Sequence, residues 1–238
     1  MDLKESELLG DTVDRHWYYR SKATALRHML RSVTPRAALD VGAGSGFFSR
    51  NLLANGIIDE AICVDTGYVG DFDEYCAGRP IHFRRRVGPV DVDLVLMMDV
   101  LEHVDDDVAI LAEYSSKVPR EASFLITVPA FQFLWSAHDE FLEHRRRYTL
   151  PQLESVVHKA DLSVERSAYY FAAVLPIAAA VRLAERLPLQ RNRSAHTQLR
   201  QHHPMVNRAL AAITSLELPL LRWNRIGGLS VFCLARRA

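Results

Sequence analysis

Along this 238-residue chain, short continuous apolar runs alternate with segments whose apolar positions recur every three or four residues. Such a pattern predicts strands and helices in turn. His16–Val33 carries Ala23, Leu26, Met29 and Leu30 at helical spacing, with Arg20, Lys22, Arg27 and Arg31 at polar positions, and stops before Pro35. Ala38–Leu53 reads as strand, tight turn and helix. Ala61–Asp65 reads as a second strand, Val69–Ala77 as a helix, and Ile81–Val87 as a strand at the sheet edge, because three consecutive arginines do not suit a strand buried on both faces. Leu94–Met98 is strand-like, and a helical pattern restarts at Val100 with Asp105–Asp107 as helix-start acids. Ser123–Pro129 is a continuous apolar strand, Leu150–Ala160 a helix, Leu162–Tyr170 a strand and Leu229–Ala235 the last strand. This order predicts an α/β protein, a doubly wound, seven-stranded and mostly parallel sheet with an antiparallel final strand. An N-terminal helix precedes it, and a helical insertion at 171–226 comes before the last strand. One domain is expected over 1–238, with 1–34 as an N-terminal helical lid.

The stretch with most chemical content is ALDVGAGSGFFSRNLL, residues 38–53. Glycine lacks a Cβ, so Gly42, Gly44 and Gly46 can take positive φ and let a ligand lie against bare backbone at a helix N-terminus. A dinucleotide fingerprint places its third glycine three residues after the second, to seat a pyrophosphate. Here the spacing is G-x-G-x-G, with Asp40 two residues before the first glycine. A carboxylate there repels a pyrophosphate and suits a ligand carrying an ammonium group. Asp65 closes the second strand 21 residues beyond Gly44, near the separation at which such an acid meets ribose hydroxyls.

These residues together resemble class I S-adenosylmethionine (SAM) dependent methyltransferases of the small-molecule type, over about residues 16–170 and 227–236. The resemblance implies a Rossmann-like fold and SAM as cofactor. Gly42, Ala43, Gly44, Gly46 and Phe47 would form one wall of its site, with Asp40, Asp65 and Thr66 beside them. DLVLMMDVLEHV, residues 93–104, is similar to the fourth-strand motif of the family, which implies Met98 and Asp99 beside the amino-acid part of SAM. The crowded His16, Trp17, Tyr18, Tyr19 and Arg20 resemble an aromatic lid, with Tyr19 and Arg20 on the cofactor and Trp17 on the substrate.

Residues 130–149, AFQFLWSAHDEFLEHRRRYT, are expected to hang over the carboxyl ends of the strands as a substrate loop. The order H-D-x-x-x-x-H-R-R-R-Y is similar to one in a broad group of bacterial methyltransferases. His103, His138, Asp139 and His144 are the candidates for proton handling. Phe131, Trp135, Arg146 and Tyr148 are the candidates for substrate contact. His138, Asp139 and His144 could also ligate a metal, but their i, i+1, i+6 spacing places no two at i, i+4 on a helix face, and no metal is expected.

Composition narrows the picture. The net charge is zero, yet residues 1–150 carry −7 and residues 151–238 carry +7, almost all of the latter arginine. A basic, apolar insertion suits an anionic surface or a greasy substrate. Three cysteines without a C-x-x-C pair read as reduced core residues, and the N-terminus lacks a signal-peptide pattern. The expectation is a cytoplasmic enzyme that methylates a small-molecule or lipid-linked acceptor, most simply at oxygen. Peripheral membrane contact through 171–226 and a homodimer are the expected associations; nucleic acid is not. An RNA or protein methyltransferase and a non-catalytic SAM-binding subunit are the alternatives.

Overall fold

The computed structural model describes residues 13, 15–185 and 203–237. The start of the expected 1–34 lid and the middle of the expected 171–226 insertion lie outside these. An eight-stranded sheet runs β3-β4-β2-β1-β5-β6-β8-β7. Its strands are β1 (Ala37–Val41), β2 (Glu60–Val64), β3 (Phe72–Cys76), β4 (Arg79–Arg84), β5 (Leu94–Met98), β6 (Ser123–Pro129), β7 (Leu162–Tyr170) and β8 (Ser230–Arg237). Strands β4, β2, β1, β5 and β6 are parallel, while β3, β8 and β7 join antiparallel.

The doubly wound reading holds, but the strand count is eight rather than seven. The helix expected over Val69–Ala77 is instead β3, hairpinned onto β4. Ala77 and Gly78, with φ of 51° and 76°, make the two-residue turn whose twist suits a hairpin. Phe72 stacks on Phe83 with ring centroids 4.4 Å apart, and Asp73 meets both His82 and Arg84 at 2.7 Å. Those cross-strand pairs outweigh the weak helical pattern. Strand β4 is therefore covered on its outer side, and Arg85 and Arg86 lie beyond its end.

The remaining helices are α1 (Trp17–Met29), α2 (Phe47–Ala54), α3 (Asp107–Ser116), α4 (Ala137–Phe141), α5 (Leu150–Lys159), α6 (Leu175–Glu185) and α7 (Pro204–Glu217). They cover both faces of the sheet, so β5 is apolar throughout. Leu94, Leu96 and Met98 enter one core with Leu26 and Met29 of α1 and Phe48 and Leu52 of α2. Val95 and Met97 enter the other with Leu111 of α3 and Leu153 and Val157 of α5. Each large apolar side chain so buried contributes about 1.5–3 kcal/mol.

Helix α1 is fastened to the insertion. Asn207 Oδ1 accepts from the Trp17 backbone N–H at 2.7 Å, and the Ser21 and Thr214 hydroxyls lie 2.8 Å apart. Strand order reverses direction at β1, whose neighbours β2 and β5 are reached by crossovers to opposite sides. In open α/β sheets the ligand crevice forms at the carboxyl end of that point.

Candidate functional site

At the end of β1, Gly42, Gly44 and Gly46 all adopt left-handed backbone, with φ of 64°, 55° and 70°. A Cβ on Gly42 would lie 2.9 Å from Val100 Cγ2, and one on Gly46 would lie 3.0 Å from the Phe83 ring. The turn is thus both conformationally and sterically reserved for glycine. Asp65 follows β2 and accepts the Gly44 N–H at 3.0 Å on Oδ2 and the Gly67 N–H at 2.8 Å on Oδ1. A carboxylate has about four acceptor positions, so capacity is left for two hydroxyls. Tyr68 closes the turn from below by donating to the Gly44 carbonyl at 2.6 Å.

Asp40 is placed beneath this turn, not on its surface. It is buried and accepts from Ser49 Oγ of α2 at 2.8 Å. Burial pushes its carboxyl up to about 6, which the Ser49 hydrogen bond partly opposes. Thr66 is exposed beside Asp65, Ala43 is buried within the turn, and Phe47 opens α2 against the Tyr19 ring at 5.6 Å.

The break after β5 forms the opposite wall. Asp99 sits at φ 58°, and Thr127 Oγ1 donates to its Oδ1 at 3.1 Å. Its Oδ2 is held by the fully buried Lys22 ammonium, which also reaches the Tyr18 hydroxyl at 3.3 Å. Burial alone would lower the Lys22 pKa; the Asp99 carboxylate, with Tyr18, more than reverses it. Asp99 in turn is held below the usual carboxylate range, because Lys22 outweighs its own burial. Met98 is buried at the end of the strand.

Lys22 corrects the reading of α1. It occupies a buried position rather than a solvent-facing one, on the stripe Tyr19, Lys22, Ala23, Leu26 and Met29. The spacing i, i+3, i+4, i+7 from Tyr19 carries that signal in the sequence. Trp17 and Tyr19 are buried and Arg20 is exposed. Trp17 and Tyr18 pack on Phe171, at 5.7 and 5.1 Å.

The loop 130–149 closes on itself where Ala130 bridges Tyr148, and inside it the H-D-x-x-x-x-H-R-R-R-Y residues build a cluster. Arg147 donates Nε to Asp139 Oδ1 at 2.7 Å and Nη2 to Oδ2 at 3.0 Å, both side chains being buried. Burial would raise the Asp139 pKa, but the His144 and Arg147 contacts hold it well below the usual range. His144 Nδ1 lies 3.0 Å from Asp139 Oδ1. An ionised carboxylate only accepts, so Nδ1 carries a proton and Nε2 points away from Asp139. The His144 ring meets His103 edge to face at 4.7 Å.

The arginine run is a backbone clamp. The Arg145 N–H donates to the Glu102 carbonyl at 2.7 Å and its Nε to the His103 carbonyl at 2.9 Å. Arg146 Nη2 donates to the carbonyls of Val104 and Asp105, at 3.0 and 2.8 Å. Tyr148 is buried, its hydroxyl 2.8 Å from Asp107 Oδ2 and 3.1 Å from the Leu101 carbonyl. These contacts spend Arg146 and Tyr148 on the scaffold and bring His144 to His103. Burial lowers the His138 pKa to about 4, making it a weak base. Phe131, at φ 60°, stacks on Tyr169 at 5.0 Å, and Trp135 is half-buried.

Solved structures share this fold. A Thermotoga maritima SAM-dependent methyltransferase, described as a possible histamine N-methyltransferase, matches with a TM-score of 0.55 at 12% identity, over 99% of this chain and 96% of that one. A chain from the complex of the Haloferax volcanii Trm112 methyltransferase activator with a methyltransferase matches at 0.54 and 15%, over 95% and 92%. A Galdieria sulphuraria protein described as a sarcosine dimethylglycine methyltransferase matches at 0.52 and 13%, over 92% and 85%. The chain has the class I methyltransferase fold. No family model and no curated protein matches the sequence. The Asp99 and Glu102–His103 segment packs against the glycine turn through Val100 and Gly42. Glu102 and Lys22 were absent from the candidates read from the sequence, and both are fully buried ionisable groups beside Asp99, burial and the Asp99 carboxylate raising the Glu102 carboxyl well above its usual range.

Proposed function

We propose that this protein is a SAM-dependent methyltransferase acting on an oxygen of a small-molecule or lipid-linked acceptor. The observation that carries the reading is the turn of three left-handed glycines at the strand-order reversal, tied through the Gly44 N–H to the Asp65 carboxylate. Side chains at Gly42 and Gly46 would collide with Val100 and Phe83, which reserves the turn for bare backbone, and Asp65 retains acceptor capacity for vicinal hydroxyls. Gly42, Ala43, Gly44, Gly46 and Phe47, with Asp65, Thr66, Met98 and Asp99, would hold SAM, and Tyr19 and Arg20 would close over it. When bound, SAM supplies an activated sulfonium methyl, so the protein's part is alignment and exclusion of water. The half-buried His103 and His144 pair, ordered by Asp139, is the place where the acceptor's proton would be handled.

The acceptor class is supported by the C-terminal third. Ile177 and Leu183 of α6, Met205 and Leu216 of α7, and Leu220 and Trp223 after it are exposed. No described helix is long and apolar enough to cross a membrane. Beside Trp223, His28, Arg31, Arg166 and Arg222 line a cavity of about 350 Å³. Their mutual field shows in His28, whose pKa is lowered by burial and by all three arginines. A basic cavity bordered by apolar side chains suits an anionic headgroup at a lipid surface.

The test is incubation of the protein and methyl-labelled SAM with cell extract, followed by fractionation. Label in an organic-extractable, alkali-stable product is the expected result. Label in RNA or protein would replace the acceptor class, and SAM binding without transfer would leave only a SAM-binding subunit.

A further inference from the structure

Glu102 is the one carboxylate among the described residues whose two oxygens are both buried without a hydrogen-bond partner. Leaving such a group unpaired is costly, because its hydration is lost and nothing replaces it. The nearby cations do not serve it: Lys22 is committed to Asp99 and Arg147 to Asp139. What does face it is a pair of imidazoles. A carboxylate oxygen of Glu102 and one ring nitrogen each of His103 and His144 lie within 4.8 Å of one another.

We infer that Glu102, His103 and His144 form a binding site for a divalent first-row transition-metal ion, with Asp139 as the outer carboxylate that orients His144. Two imidazoles and one carboxylate are a donor set suited to Zn²⁺, Mn²⁺ or Fe²⁺ rather than to Ca²⁺, which takes oxygen ligands. Three donors at about 2.1 Å around a tetrahedral ion stand about 3.4 Å apart, so atoms now within 4.8 Å of one another must draw in by up to about 1.4 Å, which rotation of the side chains can supply. Asp139 occupies His144 Nδ1 and leaves Nε2 as the ligating atom, which is the arrangement of a carboxylate supporting a metal-bound histidine. The backbone is held ready, since Arg145 fixes the carbonyls of Glu102 and His103 against the loop that carries His144. Glu102 is fully buried, His103 is half-buried, and the His144 side chain is 7% exposed. The spacing of His138, Asp139 and His144 does not describe this set; the fold recruits Glu102 and His103 from the segment after β5 instead.

A three-residue set leaves positions on the ion for other oxygens. Resting on the methyltransferase reading, an acceptor hydroxyl would take one of them, beside the wall that holds the cofactor, and the imidazoles would then act as ligands.

The test is isothermal titration of the full-length, chelator-treated protein with Mn²⁺ and separately with Zn²⁺, with no SAM present, alongside SAM binding measured in the absence of metal. Saturable one-to-one binding of either ion is expected, weakened at least about 10-fold in Glu102→Gln and in His144→Gln, and about 10–100-fold in Asp139→Asn. Glu102→Gln keeps the side chain's shape, so its melting temperature without metal should match or exceed that of the unaltered protein, and added Mn²⁺ should no longer raise it. Absence of stoichiometric binding, or binding unchanged by Glu102→Gln and His144→Gln, would overturn the site. SAM binding without metal binding would overturn the site alone; metal binding without SAM binding would overturn only the methyltransferase reading.

Discussion

Asp139 and Arg147 face each other through two charge-assisted bonds, at 2.7 and 3.0 Å, in side chains that are 0% and 3% exposed. The pair joins the short helix α4 to the far end of the 130–149 loop, and Arg147 Nη1 continues to the Ala130 carbonyl at 3.1 Å. Removing one partner of a buried pair strands the other charge. Arg147→Met should therefore destabilise the protein by about 3–5 kcal/mol in urea unfolding. Arg145→Met, whose partner Asp105 is largely exposed, should lose less than half as much. Equal losses for the two variants would contradict the buried-pair account.

The glycine turn makes a separable prediction. Gly42→Ala places a methyl 2.9 Å from Val100 Cγ2 and holds a non-glycine residue at φ 64°. The combined cost should be about 1–3 kcal/mol of stability together with weakened SAM binding. Val100→Ala in the same chain removes the contact and not the backbone strain. The double variant should recover part of the lost stability, and full recovery in denaturation curves would show that φ carries none of the cost.

Asp40 sets a pH dependence. Burial raises its carboxyl from the ordinary 3.8 to about 6 in the folded chain, which therefore binds this proton more tightly. Stability linked to Asp40 is therefore fully present below about pH 4 and is lost as pH rises through about 6, by roughly 3 kcal/mol. Asp40→Asn retains an acceptor for Ser49 and should flatten that slope between pH 4 and 7. Urea unfolding across this range measures it; a slope identical to the unaltered protein's would assign the effect to another group.

The basic cavity predicts membrane behaviour. Flotation with phosphatidylcholine vesicles containing phosphatidylglycerol should recover the protein, and vesicles of phosphatidylcholine alone should recover less. Each arginine near an anionic surface contributes about 1 kcal/mol, so Arg31→Gln with Arg222→Gln should weaken partition by about 30-fold. Binding indifferent to both lipid charge and these substitutions would remove the cavity from the proposal.

Much of the glycine turn and its surroundings was legible in the sequence. Gly42, Gly44 and Gly46 are spaced for a tight strand-to-helix turn, Asp65 closes the next apolar run, and β6 falls on the predicted Ser123–Pro129. These are local features, since backbone conformation and burial on both faces leave their mark in residues close along the chain. Lys22 was legible too, though only by placing it on the stripe with Tyr19 and Leu26. The hairpin of β3 and β4 was not, because its cross-strand pairs compete with a short helical pattern that looks equally good in isolation.

Sequence by itself determined the alternation of strands and helices, the glycine turn and the acids around it, because each depends on neighbours within a few residues. Tertiary structure decided what those residues do to one another. It buried Asp40 under the turn, set Lys22 against Asp99 across 77 residues, and tied α1 to α7 through Trp17 and Asn207 across 190. It also drew His144 to Glu102 and His103 through the Arg145 clamp. Those relationships depend on crossovers that bring distant segments to one end of the sheet, and no periodicity along the chain records which segments will meet there.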